Sequence, residues 1–79
     1  MKIKVLDVLL NTIDKVKRFT NIANKFDCDV DVIQGKYTVD GRSILGIFSL
    51  NLTDTVTVEI ENDNEKQIDR FLKKMEEFR

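Results

Sequence analysis

The sequence predicts an α+β domain, an open-faced β-α-β-β-α-β-α sandwich in which a four-stranded antiparallel sheet carries three helices on one face. Three observations lead there. Four short segments alternate polar and apolar residues, which gives a strand one apolar face. Three other segments repeat apolar residues at helical spacing, which gives a helix one apolar stripe. No repeat, linker or low-complexity tract interrupts the 79 residues, so residues 1–79 form one domain. Stacking every stripe on one side of the sheet buries all of them and leaves the other side wet.

The elements follow in order. "KIKV", residues 2–5, alternates, so Ile3 and Val5 share one face of a first strand. The alternation fails at Leu6, which predicts a bulge or the strand end there. In "NTIDKVKRFTNIANKF" the residues Ile13, Val16, Phe19 or Thr20, Ile22, Ala23 and Phe26 recur at helical spacing and predict a helix of about 13 residues. Asn11 or Thr12 can cap its start, and Asp14 suits the positive end of its dipole. "DVDVIQGKYTVD" reads as a hairpin in which Val30, Val32, Tyr37 and Val39 point inward. Gly35 and Lys36 form its two-residue turn, with glycine first where a positive φ costs it nothing. "SILGIFSL" is too apolar for a loop and predicts a helix of one or two turns with Ser43 as N-cap. On it, Ile44 and Phe48 are read as partly core, and Leu45 and Ile47 as the exposed contacts. "TVTVEIE" is the clearest strand, with Val56, Val58 and Ile60 facing in. Caps at residues 62–64 introduce a last amphipathic helix with its stripe at Ile68, Phe71, Leu72, Met75 and Phe78.

Composition narrows the chemistry. The net charge is −1, with 13 basic and 14 acidic residues, so no basic surplus points to nucleic acid or a membrane surface. No apolar run is long enough to span a bilayer. The opening "MKIKVLDVLL" alternates and has no small-residue cleavage site, and it is read as a strand rather than a signal peptide. Cys28 is the single cysteine, which excludes an internal disulfide and suggests the reducing cytoplasm. With no histidine and one cysteine, zinc sites and Ser-His or Cys-His pairs are excluded, and neither phosphate-loop motif occurs. No metal or cofactor is expected. The acidic clusters "CDVDV" and "ENDNE" are read as solvation and capping.

The order of elements, with "NKFDCDVDV", "GKYTVDGRSILGIFSL" and "VTVEIENDNE" before the last helix, resembles the histidine-containing phosphocarrier (HPr) family of the bacterial sugar phosphotransferase system. The resemblance covers nearly the whole chain. Its most specific part runs from Ser43 to Leu50, similar to the family's Ser-Ile-Met-Gly-Val-Met-Ser-Leu segment. The family opens its first helix with Gly-(Ile/Leu)-His-Ala-Arg-Pro-Ala. Counted back without gaps from Asn24, that histidine falls on Thr12 and that arginine on Asp14. The loop from Asn51 to Thr55 is about two residues shorter than is usual in the family.

The resemblance implies a non-catalytic, degenerate member, unable to relay phosphate through histidine. A relay needs a nucleophile whose phosphorylated form gives the group away again. Imidazole does so, whereas Thr12 would form only an ester and has no histidine base beside it. Asp14 repels an incoming dianion where the family's arginine would hold it. The serine matching Ser43 is a regulatory site in Gram-positive members, and catabolite repression HPr follows a similar logic. Regulatory or adaptor binding, switched by phosphorylation at Ser43, is therefore expected. Arg42, Ile44, Leu45, Ile47 and Phe48 would offer the docking surface, with Lys15 and Arg18 adding a basic strip. The protein partners implied are HPr kinase or a transcriptional regulator. Two alternatives are a phosphocarrier using a non-histidine site and a purely structural interaction domain in which Ser43 is only a cap. Leu9 and Leu10 stand where the family has small loop residues, as extra core or as an apolar lip.

Overall fold

A computed structural model describes residues 2–79. Strand β1 (Lys2–Val8) is followed by α1 (Ile13–Lys25), β2 (Asp29–Gln34), β3 (Tyr37–Asp40), α2 (Ile44–Phe48), β4 (Val56–Asn62) and α3 (Glu65–Met75). A 3-10 turn, Glu76–Phe78, extends the last helix. The four strands form one antiparallel sheet in the order β1-β4-β2-β3. The expected sandwich and element order are both present.

The register decides which residues meet the helices. Val56, Val58 and Ile60 of the central strand β4 face inward, level with Val8, Leu6 and Lys4 of β1 and, for the last two, with Val32 and Val30 of β2. Their inward faces close over the stripes of the helices in one core that contains Val16, Phe19, Ile68, Phe71, Met75 and Phe78. Two edge-to-face aromatic pairs tie α1 and its C-cap to α3 and the turn after it: Phe19 with Phe78 at 6.0 Å, and Phe26 with Phe71 at 5.6 Å.

Three sequence expectations are corrected. Strand β1 runs unbroken through Leu6 to Val8, and it is the even positions that face the helices. Ile3 and Val5 therefore stand on the open face, 52 % and 58 % exposed. Tyr37, the first residue of β3 after the hairpin turn, pairs with Gln34 on the helix side of the sheet but is 70 % exposed. Ile13 is 64 % exposed in the first turn of α1, where the helix stripe has not yet met its neighbours. The hairpin itself follows expectation: Gly35 has a φ of +60° in a two-residue turn.

Candidate functional site

The two positions that matter most cap two neighbouring helices. Thr12 has extended backbone geometry, and its Oγ1 accepts the Lys15 N–H at 3.1 Å, so Thr12 rather than Asn11 is the N-cap of α1. Asn11 instead accepts from the Lys15 ammonium at 3.1 Å. Two residues on, Asp14 pairs with Arg18 at 2.9 Å one turn along the helix. The start of α1 thus presents a hydroxyl already used as an acceptor and a carboxylate, with Lys15 and Arg18 both engaged locally. An exposed pair of this kind adds only a few tenths of a kcal/mol, so what it fixes is charge placement.

Ser43 caps α2 in the same way, its Oγ accepting the Gly46 N–H at 3.1 Å while its side chain stays exposed. Helix α2 packs against α1 and β3, which sets its facing. Ile47 is buried in the core and Ile44 packs against it, whereas Leu45 is 79 % and Phe48 40 % exposed. Ile47 and Phe48 therefore exchange the roles that the sequence suggested. A three-residue step keeps Ile44 and Ile47 on one side of a helix and puts Leu45 and Phe48 on the other. Five helical residues are too few for a pattern to define that side in advance.

Arg42 also differs from expectation. Its guanidinium donates to the Phe26 carbonyl at 2.8 Å and to the Cys28 carbonyl, across the α1–β2 connection. Its backbone N–H donates to Asp40 at 2.8 Å. The side chain is half-buried and holds the segment before α2 against the end of α1, so it is a fastener rather than a free cation beside Ser43. Arg18 is similarly occupied. Besides Asp14 it reaches Glu77 at 2.9 Å and lies 5.8 Å from the centre of the Phe78 ring, joining α1 to the C-terminal turn. Leu10 is fully buried and Leu9 half-buried, with the Leu9 N–H donating to the Phe78 carbonyl at 2.7 Å. Leu10 is therefore extra core, whereas Leu9 stays outside the core cluster.

Sequence reasoning missed a polar brace. Gln34 exchanges hydrogen bonds with the Asn51 backbone at 2.7 and 2.8 Å, pinning the end of β2 to the loop before β4. Only the polarity of Gln34 on the inward side of its strand signalled it. Cys28 is buried, and its desolvation, aided by the Asp27 carboxylate, pushes the thiol pKa up, with Arg42 opposing. No group of three metal-ligating side chains occurs among the described residues, and none of their helices is long and apolar enough to cross a membrane.

A family model described as the PTS HPr component phosphorylation site matches residues 15–78, which leaves Thr12 and Asp14 outside the matched region. The fold is similar to that of HPr-C-His from Thermoanaerobacter tengcongensis, at 24 % identity over 96 % of this chain and 92 % of that one, with a TM-score of 0.71. It is similar to the phosphocarrier protein HPr from Bacillus anthracis at 21 % identity, over 96 % of this chain and 100 % of that one, with a TM-score of 0.69. It is also similar to the histidine-containing phosphocarrier protein of Mycoplasma at 14 % identity, over 91 % of each chain, with a TM-score of 0.67. No curated protein shows a significant sequence match.

Proposed function

The chain belongs to the HPr family of the sugar phosphotransferase system, and on that premise we propose that it acts by being recognised and does not relay phosphate. The carrying observation is the absence of histidine from a chain in which the hydroxyl that a gapless count puts at the histidine position, Thr12, is already the cap of α1 and stands two residues from Asp14. A phosphate ester there would be a poor donor, and Asp14 would oppose its formation. What the fold does present near that position is apolar surface. Leu45 and Phe48 project from α2, and Ile13 is exposed on the helix packed against it. Exposed aliphatic and aromatic side chains on rigid elements are what a protein partner anchors on. An adaptor or regulator of cytoplasmic sugar uptake, docking a kinase or a transcriptional regulator through Leu45 and Phe48, fits these features.

Ser43 is the regulatory switch in this reading. Its side chain is exposed next to Leu45, and phosphorylation would place about two negative charges at the edge of the apolar patch. Since Arg42 is held by the Phe26 and Cys28 carbonyls, the partner has to supply the cation that reads the phosphate. The engagement of the Ser43 Oγ as a cap favours a second reading, a structural interaction domain without any switch.

Two mass measurements test these statements. Incubation with the first enzyme of the phosphotransferase system and phosphoenolpyruvate should leave the intact mass unchanged. An acid-labile gain of one phosphate would establish a relay and overturn the proposal. Incubation with HPr kinase and ATP should add one phosphate that Ser43→Ala abolishes. If no phosphate is added, the domain without a switch is the correct reading.

A further inference from the structure

The face of the sheet turned away from the helices differs from an ordinary solvated surface. Two register rows cross it, Ile3–Glu61–Asp29 and Val5–Glu59–Asp31–Asp40. Each begins with an aliphatic residue on the edge strand and continues only in carboxylates. Asp7 stands in the next row, giving six acidic side chains on this face and no basic one among the described residues. The three helices on the opposite side carry eight basic against three acidic residues. The net charge near zero therefore conceals two sides of opposite sign.

Strand alternation calls for polarity on the wet side but not for a single sign. Glu61 faces Asp29, Glu59 faces Asp31, and Asp31 faces Asp40, all directly across the ladder. Like charges in that position destabilise a sheet, whereas mixed signs would stabilise it. Among the described residues, no ion pair reaches any of these carboxylates. Ile3 and Val5 at the head of the rows are more than half exposed, on the side of the sheet that no helix covers. Carboxylates alone would be only solvated. Carboxylates opposed in rows and headed by uncovered aliphatics form a surface with both charge and apolar anchors.

We propose that the open face of the sheet docks a cationic protein segment, one that sets aliphatic side chains on Ile3 and Val5 and lysine or arginine side chains over the two carboxylate rows. Such a partner removes the like-charge repulsion and covers the aliphatics together. A second copy of the chain could offer only its basic helix side. Stacking sheet side on helix side is a heterologous contact that repeats without closing, so a separate partner fits better than self-assembly. The face is on the opposite side of the sheet from Leu45 and Phe48, so both surfaces can be occupied at once. This inference is independent of Ser43 and of the absent relay.

The test uses the nitrogen-15-labelled protein at physiological salt. A seven-residue peptide of three valines followed by four lysines, which puts both residue types on one face of an extended chain, is added, with heptalysine as control, and amide shifts are followed. The expected result is saturable shifts confined to β1, β4 and β2, with the valine–lysine peptide binding at least three-fold tighter than heptalysine. Asp31→Lys should weaken it at least ten-fold. The neutral pair Asp31→Asn with Glu59→Gln should weaken it as well while raising the denaturation midpoint of the free protein, which separates lost binding from lost folding. Equal binding of both peptides, shifts spread over both sides, or unchanged affinity in the variants overturns the proposal. Sedimentation showing that copies stack through Asp31 and Glu59 would overturn it in favour of self-assembly.

Discussion

Replacing Arg42 by Met removes the guanidinium that bridges the Phe26 and Cys28 carbonyls and keeps most of the aliphatic stem. A hydrogen bond from a charged donor is worth about 1.5–3 kcal/mol, and a buried acceptor left bare costs on the same order. Two such bonds are broken here, but they share one donor nitrogen, and the side chain is only half-buried, so water can reach the site. Counting roughly one full bond as lost gives about 2 kcal/mol. For a domain of this size that lowers the melting temperature by roughly 8–16 °C. Urea unfolding measures the loss, and amide exchange locates it at residues 26–28 and in α2. Arg42→Lys keeps the charge but offers a narrower donor, and should lose about half as much. A melting temperature of Arg42→Met within about 2 °C of the parent, corresponding to under about 0.5 kcal/mol, would refute the fastener role.

Leu10→Ala opens a cavity beneath the start of α1 and should cost about 3 kcal/mol by denaturant titration, whereas an apolar lip at the surface would lose far less. Ser43→Ala removes the cap of α2 and should cost about 1 kcal/mol, read as a lower midpoint with an unchanged m-value. Gly41→Ala places a methyl group 2.5 Å from Val30 Cγ1, beside the Gly41 N–H to Val30 carbonyl bond of 2.8 Å, and should destabilise by about 1–3 kcal/mol. The raised thiol pKa of Cys28 predicts slow reaction with a thiol reagent at pH 8 compared with the urea-unfolded chain. Because the unfolded thiol ionises first, the contribution of Cys28 is intact below its ordinary value of 9.0 and declines as pH rises from there through the folded pKa, which alkaline unfolding curves measure.

How far the sequence revealed the structure depended on the period and on the length of each element. In β4, Val56, Val58 and Ile60 alternate with Thr57, Glu59 and Glu61, and a central strand has both neighbours to enforce that pattern. Helix α3 spans three turns, enough for its stripe to define one side. In β1 the aliphatic residues Ile3 and Val5 misled, because Lys2 and Lys4 occupy the inward register at the end of the sheet. There, long side chains can lead their ammonium groups to solvent, and that of Lys2 meets Glu65. The cap at Ser43 was legible from residue type, whereas the facing of α2 and the anchoring of Arg42 were not. The first is set by packing against α1 and β3, and the second by carbonyls 14 and 16 residues away that carry no side-chain signature. The missing imidazole needed no structure, but the engagement of Thr12, Asp14 and Arg18 with one another's surroundings did.

Of the two inner strands of the sheet, β4 is the last of all four strands to be synthesised. On the ribosome, the β2–β3 hairpin can zip as soon as it emerges, but β1 has no partner until β4 appears some fifty positions later, as the bond from Thr57 to Asp7 records. Closing so distant a pair has to precede most of the energetic reward, so nascent chains remain incomplete until translation has passed residue 62. A chain stalled before β4 would leave open the two edges that β4 pairs, on β1 and β2, and the uncovered valines of β2, and such truncated products should be prime substrates for chaperones and proteases.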